Sequence, residues 1–206
     1  MQALILGIGN VLWADEGFGV RAVETFNERY RCPDNVTVMD GGTRGMALLP
    51  FVQDCDLLVI FDAVDFGLEP GTLRILRDSE VPAFLGAKKM SLHQTGFQEV
   101  LALAELTGEM PAHLLLIGVQ PELIEDYGGG LTNAVAARIE PAIAAAVGYL
   151  AEHDIFIAQR LDVAEALSAL ALQRPLYEGE RPSAEIACRI GDERFFPADM
   201  FAERGR

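Results

Sequence analysis

The chain has 206 residues, half of them apolar, and a formal net charge of −15 at pH 7. This length and composition predict a protein with one well-buried core. The negative charge disfavours nucleic-acid binding, because phosphates would be repelled. The three cysteines, Cys32, Cys55 and Cys188, are widely spaced and include no C-x-x-C pair. We therefore expect a reduced cytoplasmic protein without a disulfide framework or a thiolate zinc site.

We expect neither a signal peptide nor a membrane-spanning segment. The start of the chain lacks a basic stretch, and Asp15 and Glu16 interrupt its apolar residues. The longest weakly polar segment, 134–151, is interrupted by Arg138, Glu140 and Pro141.

The chain opens with a pattern typical of a strand, a tight loop and a helix. Residues 3–6 are all apolar, and Gly7 and Gly9 follow directly, where glycine permits backbone angles that other residues avoid. Four large apolar residues then recur with helical spacing: Val20, Val23, Phe26 and Tyr30. Asp15 and Glu16 precede this helix, where carboxylates are favourable to the helix dipole.

A dinucleotide-binding turn would place a third glycine at the position of Leu12. The next acid at a strand end, Asp40, lies 33 residues after Gly7, whereas about 20 is usual. Asp15 and Glu16 would also repel a pyrophosphate. The dinucleotide interpretation is therefore weak, and simple helix capping by the two acids is the plainer alternative.

The remaining pattern alternates strands with helices. Strands are predicted at 36–40, 57–61, 72–76 and 114–119, and helices at 94–107 and 132–152. Pro141 should kink or split the last helix. The run at 57–61 is apolar throughout, which is typical of a strand buried on both faces of a parallel sheet. The alternation indicates an α/β sandwich with a largely parallel sheet.

The composition changes after residue 152. We expect one more helix, on which Val163, Leu167 and Leu170 share a face, to end before Pro175. Residues 175–206 are rich in Pro, Glu and Arg and are predicted to form an irregular or partly disordered tail. The chain is thus divided into a domain at 1–152 and an extension at 153–206.

Three side chains able to bind a metal lie where a ligand site is expected in such a sheet. Glu16 follows the loop after the first strand, Asp62 ends the apolar run, and His93 stands just before a helix. Two carboxylates and one imidazole suit a divalent ion such as zinc or nickel. Each also has a simple structural explanation, as a first-turn acid, a capping acid and a loop histidine.

Several motifs in a fixed order closely resemble the nickel–iron hydrogenase maturation endopeptidases, with a likeness nearest to those of uptake hydrogenases. The resemblance covers about residues 2–152. The motifs are Gly7-Ile8-Gly9-Asn10-Val11-Leu12, Asp15-Glu16-Gly17, Gly19-Val20, Asp40-Gly41-Gly42-Thr43, Asp62-Ala63, Ser91-Leu92-His93-Gln94-Thr95-Gly96, Gly118-Val119-Gln120-Pro121 and Ile139-Glu140-Pro141.

The resemblance implies a three-layer α/β sandwich in which helices flank a twisted, mostly parallel sheet of about five strands. It implies a protease that removes a short C-terminal peptide from the hydrogenase large-subunit precursor after nickel insertion. The family's metal-binding positions fall on Glu16, Asp62 and His93. The nickel would be supplied by the bound precursor, as a recognition signal or as a Lewis acid. Asp15 and Asp40 are the catalytic candidates of an aspartyl-type protease, as general base or hydrogen-bond partner.

We expect a monomer whose partner is the large-subunit precursor, with no nucleic acid and no membrane. Two other functions stay open on the sequence. A non-catalytic nickel-binding maturation chaperone would use the same three residues. A peptidyl-tRNA hydrolase has a similar Gly-x-Gly-Asn loop, but the charge of −15 disfavours it.

Overall fold

The computed structural model describes residues 1–82, 92–124, 126–169, 172–174 and 177, with the side chains of 92–96 excepted. Its centre is a five-stranded sheet of order β3-β1-β4-β6-β5, in which only β5 is antiparallel to its neighbour. A separate antiparallel pair joins β2 to β7. The strands are β1 (Ala3–Ile8), β2 (Tyr30–Arg31), β3 (Val36–Gly42), β4 (Leu57–Ala63), β5 (Leu73–Arg77), β6 (His113–Val119) and β7 (Ala158–Gln159).

Helices cover both faces of this sheet. They are α1 (Phe18–Arg29), α2 (Leu49–Gln53), α3 (Leu92–Thr107), α4 (Asn133–Ala136) and α5 (Ile139–Glu152). Side chains of α1 and α5 pack in one buried cluster, and those of α2 and α3 pack in a second cluster on the opposite face. Every residue of β1 and β4 is buried, because both strands are covered on both sides. The predicted three-layer α/β sandwich is confirmed.

Helix α1 lies unusually close to the sheet at Gly19. A β-carbon at this position would lie 2.2 Å from the carbonyl oxygens of both Ile8 and Phe61, which are backbone atoms that cannot move aside easily. The lack of a side chain therefore lets the first turn of α1 pack directly over the ends of β1 and β4. This contact fixes the helix start beside the edge of the sheet where strands β1 and β4 end.

The last helical pattern is divided, as Pro141 predicted. Helix α4 ends at Ala136 and α5 begins at Ile139, so Pro141 occupies the first turn of α5, where a missing N–H leaves no helical bond unmade. The stretch 133–152 is long and apolar enough to cross a membrane by length and composition alone. Its inward side chains, among them Ile143 and Leu150, pack in the first core cluster, which accounts for this apolar composition.

The predicted helix around 163–170 is wrong for the residues that the structure describes, because none of 160–169 is helical. This segment instead runs along α1 and bonds to it. The Arg160 amide donates to the Arg29 carbonyl (2.7 Å), and the Asn27 side chain donates to the Glu165 carbonyl (2.8 Å). Most of the predicted irregular tail at 175–206 lies outside the described residues.

Candidate active site

The candidate site lies at the edge of the sheet where the parallel strands end. Gly7 of β1 is paired with Asp40 of β3 on one side and with Phe61 of β4 on the other. With strands about 4.8 Å apart, Asp40 and Phe61 lie about 10 Å from each other across β1. Asp62 directly follows Phe61, so two predicted site acids flank the end of β1.

Glu16 lies in a short 3₁₀ helix, Ala14–Gly17, that follows β1. Its carbonyl accepts a hydrogen bond from the Asn10 amide (3.1 Å) and packs against Gly9, where a β-carbon would lie only 1.9 Å away. Gly9 has a φ of 132°, which side chains disfavour, so this tight loop requires glycine. The Glu16 side chain is half-buried, and burial raises the pKa of its carboxyl above the ordinary value.

Asp62 is the next-to-last residue of β4, and its side chain is buried. Side chains alternate between the two faces of a strand, and Leu58 and Ile60 pack in the second core cluster. Asp62 therefore lies on the same face of the sheet as these two residues, the face that α3 covers. Burying a carboxylate at the end of such an apolar strand costs free energy unless its charge is compensated, which makes Asp62 a candidate functional residue.

His93 lies in the first turn of α3, one turn before Phe97, whose side chain packs in the second core cluster. Helix α3 leads through a short connection to the start of β6, which runs parallel to β4. A 16-residue helix is about as long as a seven-residue strand, so α3 begins at the edge where β4 ends. The side chain of His93 lies outside the described residues.

The fold thus brings the positions of Glu16, Asp62 and His93 to one edge of the sheet. Among the side chains that the structure describes, no three His, Cys, Asp or Glu are grouped closely enough to hold a metal ion. The third donor of the predicted set would be the His93 imidazole. Two carboxylate oxygens and one imidazole nitrogen fit a borderline divalent ion such as nickel, and leave further positions to other ligands.

Asp15 has a structural role that the sequence did not reveal. It is fully buried, and its carboxylate accepts four hydrogen bonds from the loop after β6. The donors are the amides of Glu122 (2.9 Å), Leu123 (2.9 Å) and Thr132 (2.7 Å) and the Thr132 hydroxyl (3.1 Å). These bonds tie the loop after β1 to the loop after β6. A carboxylate occupied in this way does not fit the predicted role of general base.

Asp40 fits that role better. It is half-buried, and burial raises the pKa of its carboxyl, with further help from the negative charge of Glu24. The cations Arg44 and Arg21 and the Gly42 amide oppose this change. A carboxyl with a raised pKa is a stronger base than an exposed aspartate, as general-base catalysis near neutral pH requires.

Gln120 is a further buried polar residue beside the site, and it belongs to a motif that sequence reasoning quoted without giving it a role. Its side-chain oxygen accepts from the amides of Phe66 (2.7 Å) and Leu68 (3.1 Å). The loop that follows β4 is thereby fixed to the end of β6. The rings of the two remaining histidines, His113 and His153, contact each other at an interplanar angle of 46°, with centroids 4.3 Å apart. His113 begins β6, so this pair lies at the opposite edge of the sheet.

The acids Asp40 and Asp62 lie near the ends of the two strands that flank β1, at the edge where open α/β sheets bind their ligands. Comparisons with known proteins identify the class. The family model of the hydrogenase maturation protease HycI matches residues 20–149. The chain therefore belongs to the hydrogenase maturation protease family, and it is an endopeptidase of hydrogenase maturation.

Individual relatives agree with this assignment. The hydrogenase expression/formation protein HoxM of Azotobacter vinelandii is 60% identical over 94% of both chains. The hydrogenase 2 maturation protease of Escherichia coli is 47% identical over 75% of this chain and 94% of its own length. Among solved structures, the hydrogenase maturating endopeptidase HybD of E. coli is 45% identical, with a TM-score of 0.74 over 78% of this chain and 98% of that chain.

Proposed function

We propose that this protease removes the C-terminal peptide of a nickel–iron hydrogenase large-subunit precursor after nickel has been inserted. The observation that supports this proposal is the convergence of Glu16, Asp62 and the first turn of α3 at the strand ends, in a chain of this family. The donors there suit a divalent metal, and both acids are wholly or partly buried, so a metal ion would compensate their charge.

In this proposal nickel arrives as part of the substrate. Glu16, Asp62 and His93 recognise it, so that only a precursor with its metal in place is held for cleavage. A bound metal ion would also supply Lewis acidity toward the scissile carbonyl or its attacking water. The protease itself supplies the position of the peptide and the proton transfer.

Asp40 is the proposed general base. Asp40 lies near the end of β3, at the same edge of the sheet at which Asp62 lies near the end of β4, with β1 between the two strands. Asp40 would accept the proton of the attacking water and return it to the leaving amine. Asp15 holds the loop that carries Glu16 in place and takes no part in the proton transfer.

The decisive experiment mixes the protein with its hydrogenase large-subunit precursor, with and without nickel, and measures the precursor's mass. We expect a C-terminal peptide to be lost from the nickel-loaded form only. Cleavage of both forms would support the proposed protease function but contradict the proposed recognition of nickel. A failure to cleave the nickel-loaded precursor, with binding retained, would indicate a nickel-binding chaperone instead.

Variants separate the proposed roles. Glu16→Gln, Asp62→Asn and His93→Ala should each abolish the discrimination between the two precursor forms, whereas Asp40→Asn should slow cleavage at saturating precursor by about 10²-fold or more. Glu28→Gln, on the exposed side of α1, is the matched control and should cleave like the wild type. Wild-type selectivity in all three of the first variants would contradict the metal-recognition roles.

A further inference from the structure

An exposed apolar patch lies on the two loops that Asp15 ties together, next to Glu16. It consists of Trp13, Leu123, Ile124 and Tyr127. Their exposed fractions are 37%, 42%, 41% and 53%, which are high values for large apolar side chains. Isolated exposed apolar residues are ordinary, but several large ones on adjoining loops beside an active site indicate an interaction surface.

The patch is held in a fixed shape. The Trp13 and Tyr127 rings contact edge to face with centroids 5.3 Å apart, and their backbones form an isolated antiparallel bridge. The Gly128 amide donates to the Leu12 carbonyl (2.8 Å), and the Asp15 amide donates to the Leu123 carbonyl (3.0 Å). With the bonds to the Asp15 carboxylate, these contacts order both loops before any partner binds. A preordered surface loses little conformational entropy on binding.

The charged residues of the two chain segments that form the patch are all acidic. Neither 1–20 nor 119–132 contains a Lys or an Arg, whereas Glu16, Glu122 and Asp126 all lie in these segments. Trp and Tyr are the residues most often responsible for affinity at protein interfaces, and an acidic surround favours basic side chains on the partner. The patch therefore fits a protein segment with apolar residues beside Lys or Arg.

We infer that this patch is the docking surface for the hydrogenase large-subunit precursor, through an apolar segment flanked by basic residues. The inference rests on the proposed function, because the precursor is the substrate given there. Trp13 immediately precedes the 3₁₀ helix that carries Glu16, so a segment bound on the patch enters the candidate site directly. Docking beside the site would supply affinity, and the acids at the strand ends would supply chemistry.

The test measures kcat and KM on the nickel-loaded precursor for Trp13→Ala, Tyr127→Ala and Ile124→Ser. We expect KM to rise about tenfold or more for each aromatic variant, with kcat within about twofold of the wild type. Leu106→Ala, which removes an exposed apolar side chain on α3, is the control and should leave KM unchanged. The wild-type KM should also rise with salt, and Glu122→Gln should weaken that dependence.

Thermal unfolding of each variant distinguishes lost docking from lost folding, and Ile124→Ser removes no ring contact. An unchanged KM in folded Trp13→Ala and Tyr127→Ala variants would overturn the inference without contradicting the proposed protease function. A dimer in sedimentation that dissociates on Trp13→Ala would also overturn it, because a second copy would then cover the patch. If the wild type cleaves no precursor, the proposed function fails. Calorimetric titration of the precursor into His93→Ala, with and without Trp13→Ala, would then still measure docking.

Discussion

At the scale of single residues, the structure divides adjacent acids between different tasks. Asp15 and Glu16 are neighbours in one 3₁₀ helix, yet Asp15 is fully buried with four hydrogen bonds while Glu16 is only half-buried. The first holds two loops together and the second lies at the candidate site. The structural role of Asp15 predicts that changing this residue lowers the stability of the protein.

Asp15→Asn should lower the free energy of unfolding by about 2 kcal/mol or more, because the amide replaces an ionised acceptor and turns an NH₂ group toward backbone N–H donors. Urea unfolding measures this change. Thr132→Val removes only the hydroxyl among the four contacts and should lower stability by about 1 kcal/mol. A fully stable Asp15→Asn that no longer cleaves would instead support the catalytic role predicted from the sequence.

A substitution of Asp40 should have the opposite effect on stability, raising it while lowering cleavage activity. Burial raises the pKa of its carboxyl in the folded state above the ordinary 3.8, so the native state holds this proton more tightly than the unfolded state. The resulting loss of stability begins as the pH rises past 3.8 and is complete above the folded-state pKa. Asp40→Asn avoids this loss, so its stability relative to the wild type should increase with pH and then level off.

Urea midpoints measured from pH 4 to pH 8 test this prediction for Asp40, with Asp34→Asn in an exposed loop as the control. We expect Asp40→Asn to be more stable than the wild type at neutral pH and to have lost most of its cleavage activity. An increasing advantage toward low pH would contradict the buried, raised-pKa environment.

At the scale of helices and strands, the sequence predicted those elements whose burial leaves a periodic pattern of apolar residues. The apolar run of β4 and the helical stripe of Val20, Val23 and Phe26 were both identified, because burial on two faces and burial on one side leave different periods in the sequence. The roles of Asp15 and of the segment after residue 152 were not. The partners of the Asp15 carboxylate lie 107 to 117 residues away, so the sequence indicated a helix cap or a catalytic acid but not this role.

The segment after α5 was predicted as a helix because Val163 and Leu167 have helical spacing. Its shape is determined instead by contacts with α1. Arg21 is buried at 3% exposure, and its guanidinium donates to the Glu24 carboxylate (2.8 Å) and the Leu172 carbonyl (2.8 Å). The Ser168 hydroxyl also donates to Glu24. A polar surface of α1 that would otherwise contact water is thereby covered by the extension.

Arg21→Met should release this segment. The substitution keeps the apolar stem but removes two charge-assisted hydrogen bonds, so we expect a loss of about 2–3 kcal/mol and faster amide hydrogen exchange around Leu172. Arg29→Met breaks the exposed ion pair with Glu140 and is the control, with a loss under about 1 kcal/mol. Equal losses in the two variants would show that the contacts between α1 and the extension add nothing.

At the scale of the whole molecule, relatives of this chain differ in how much of its length they match. The E. coli HybD structure matches 78% of this chain with nearly all of its own length, whereas the A. vinelandii relative matches 94%. The A. vinelandii relative therefore matches a part of this chain that HybD does not. The sequence placed the boundary at residue 152, but contacts that complete the fold extend further.

The contacts just after residue 152 are those of β7 and Arg160. Tyr30–Arg31 pairs with Ala158–Gln159, and the Arg160 side chain donates to the Asn27 carbonyl (2.9 Å). A chain of residues 1–161 keeps these bonds. A chain of residues 1–152 loses them and also lacks Ile155, which packs in the first core cluster. We therefore expect the longer fragment to have the higher Tm by several degrees and to keep cleavage of the nickel-loaded precursor.

Differential scanning calorimetry and the mass assay on both fragments test this expectation together. Equal Tm values would show that the folded unit ends at residue 152, as the sequence predicted. If residues 1–161 fold with a Tm near that of the full chain but cleave no precursor, the remainder of the extension would be required for activity rather than for folding. We expect the remainder of the extension to be dispensable for cleavage, because the candidate site, the docking patch and every strand of the central sheet lie within the first 161 residues.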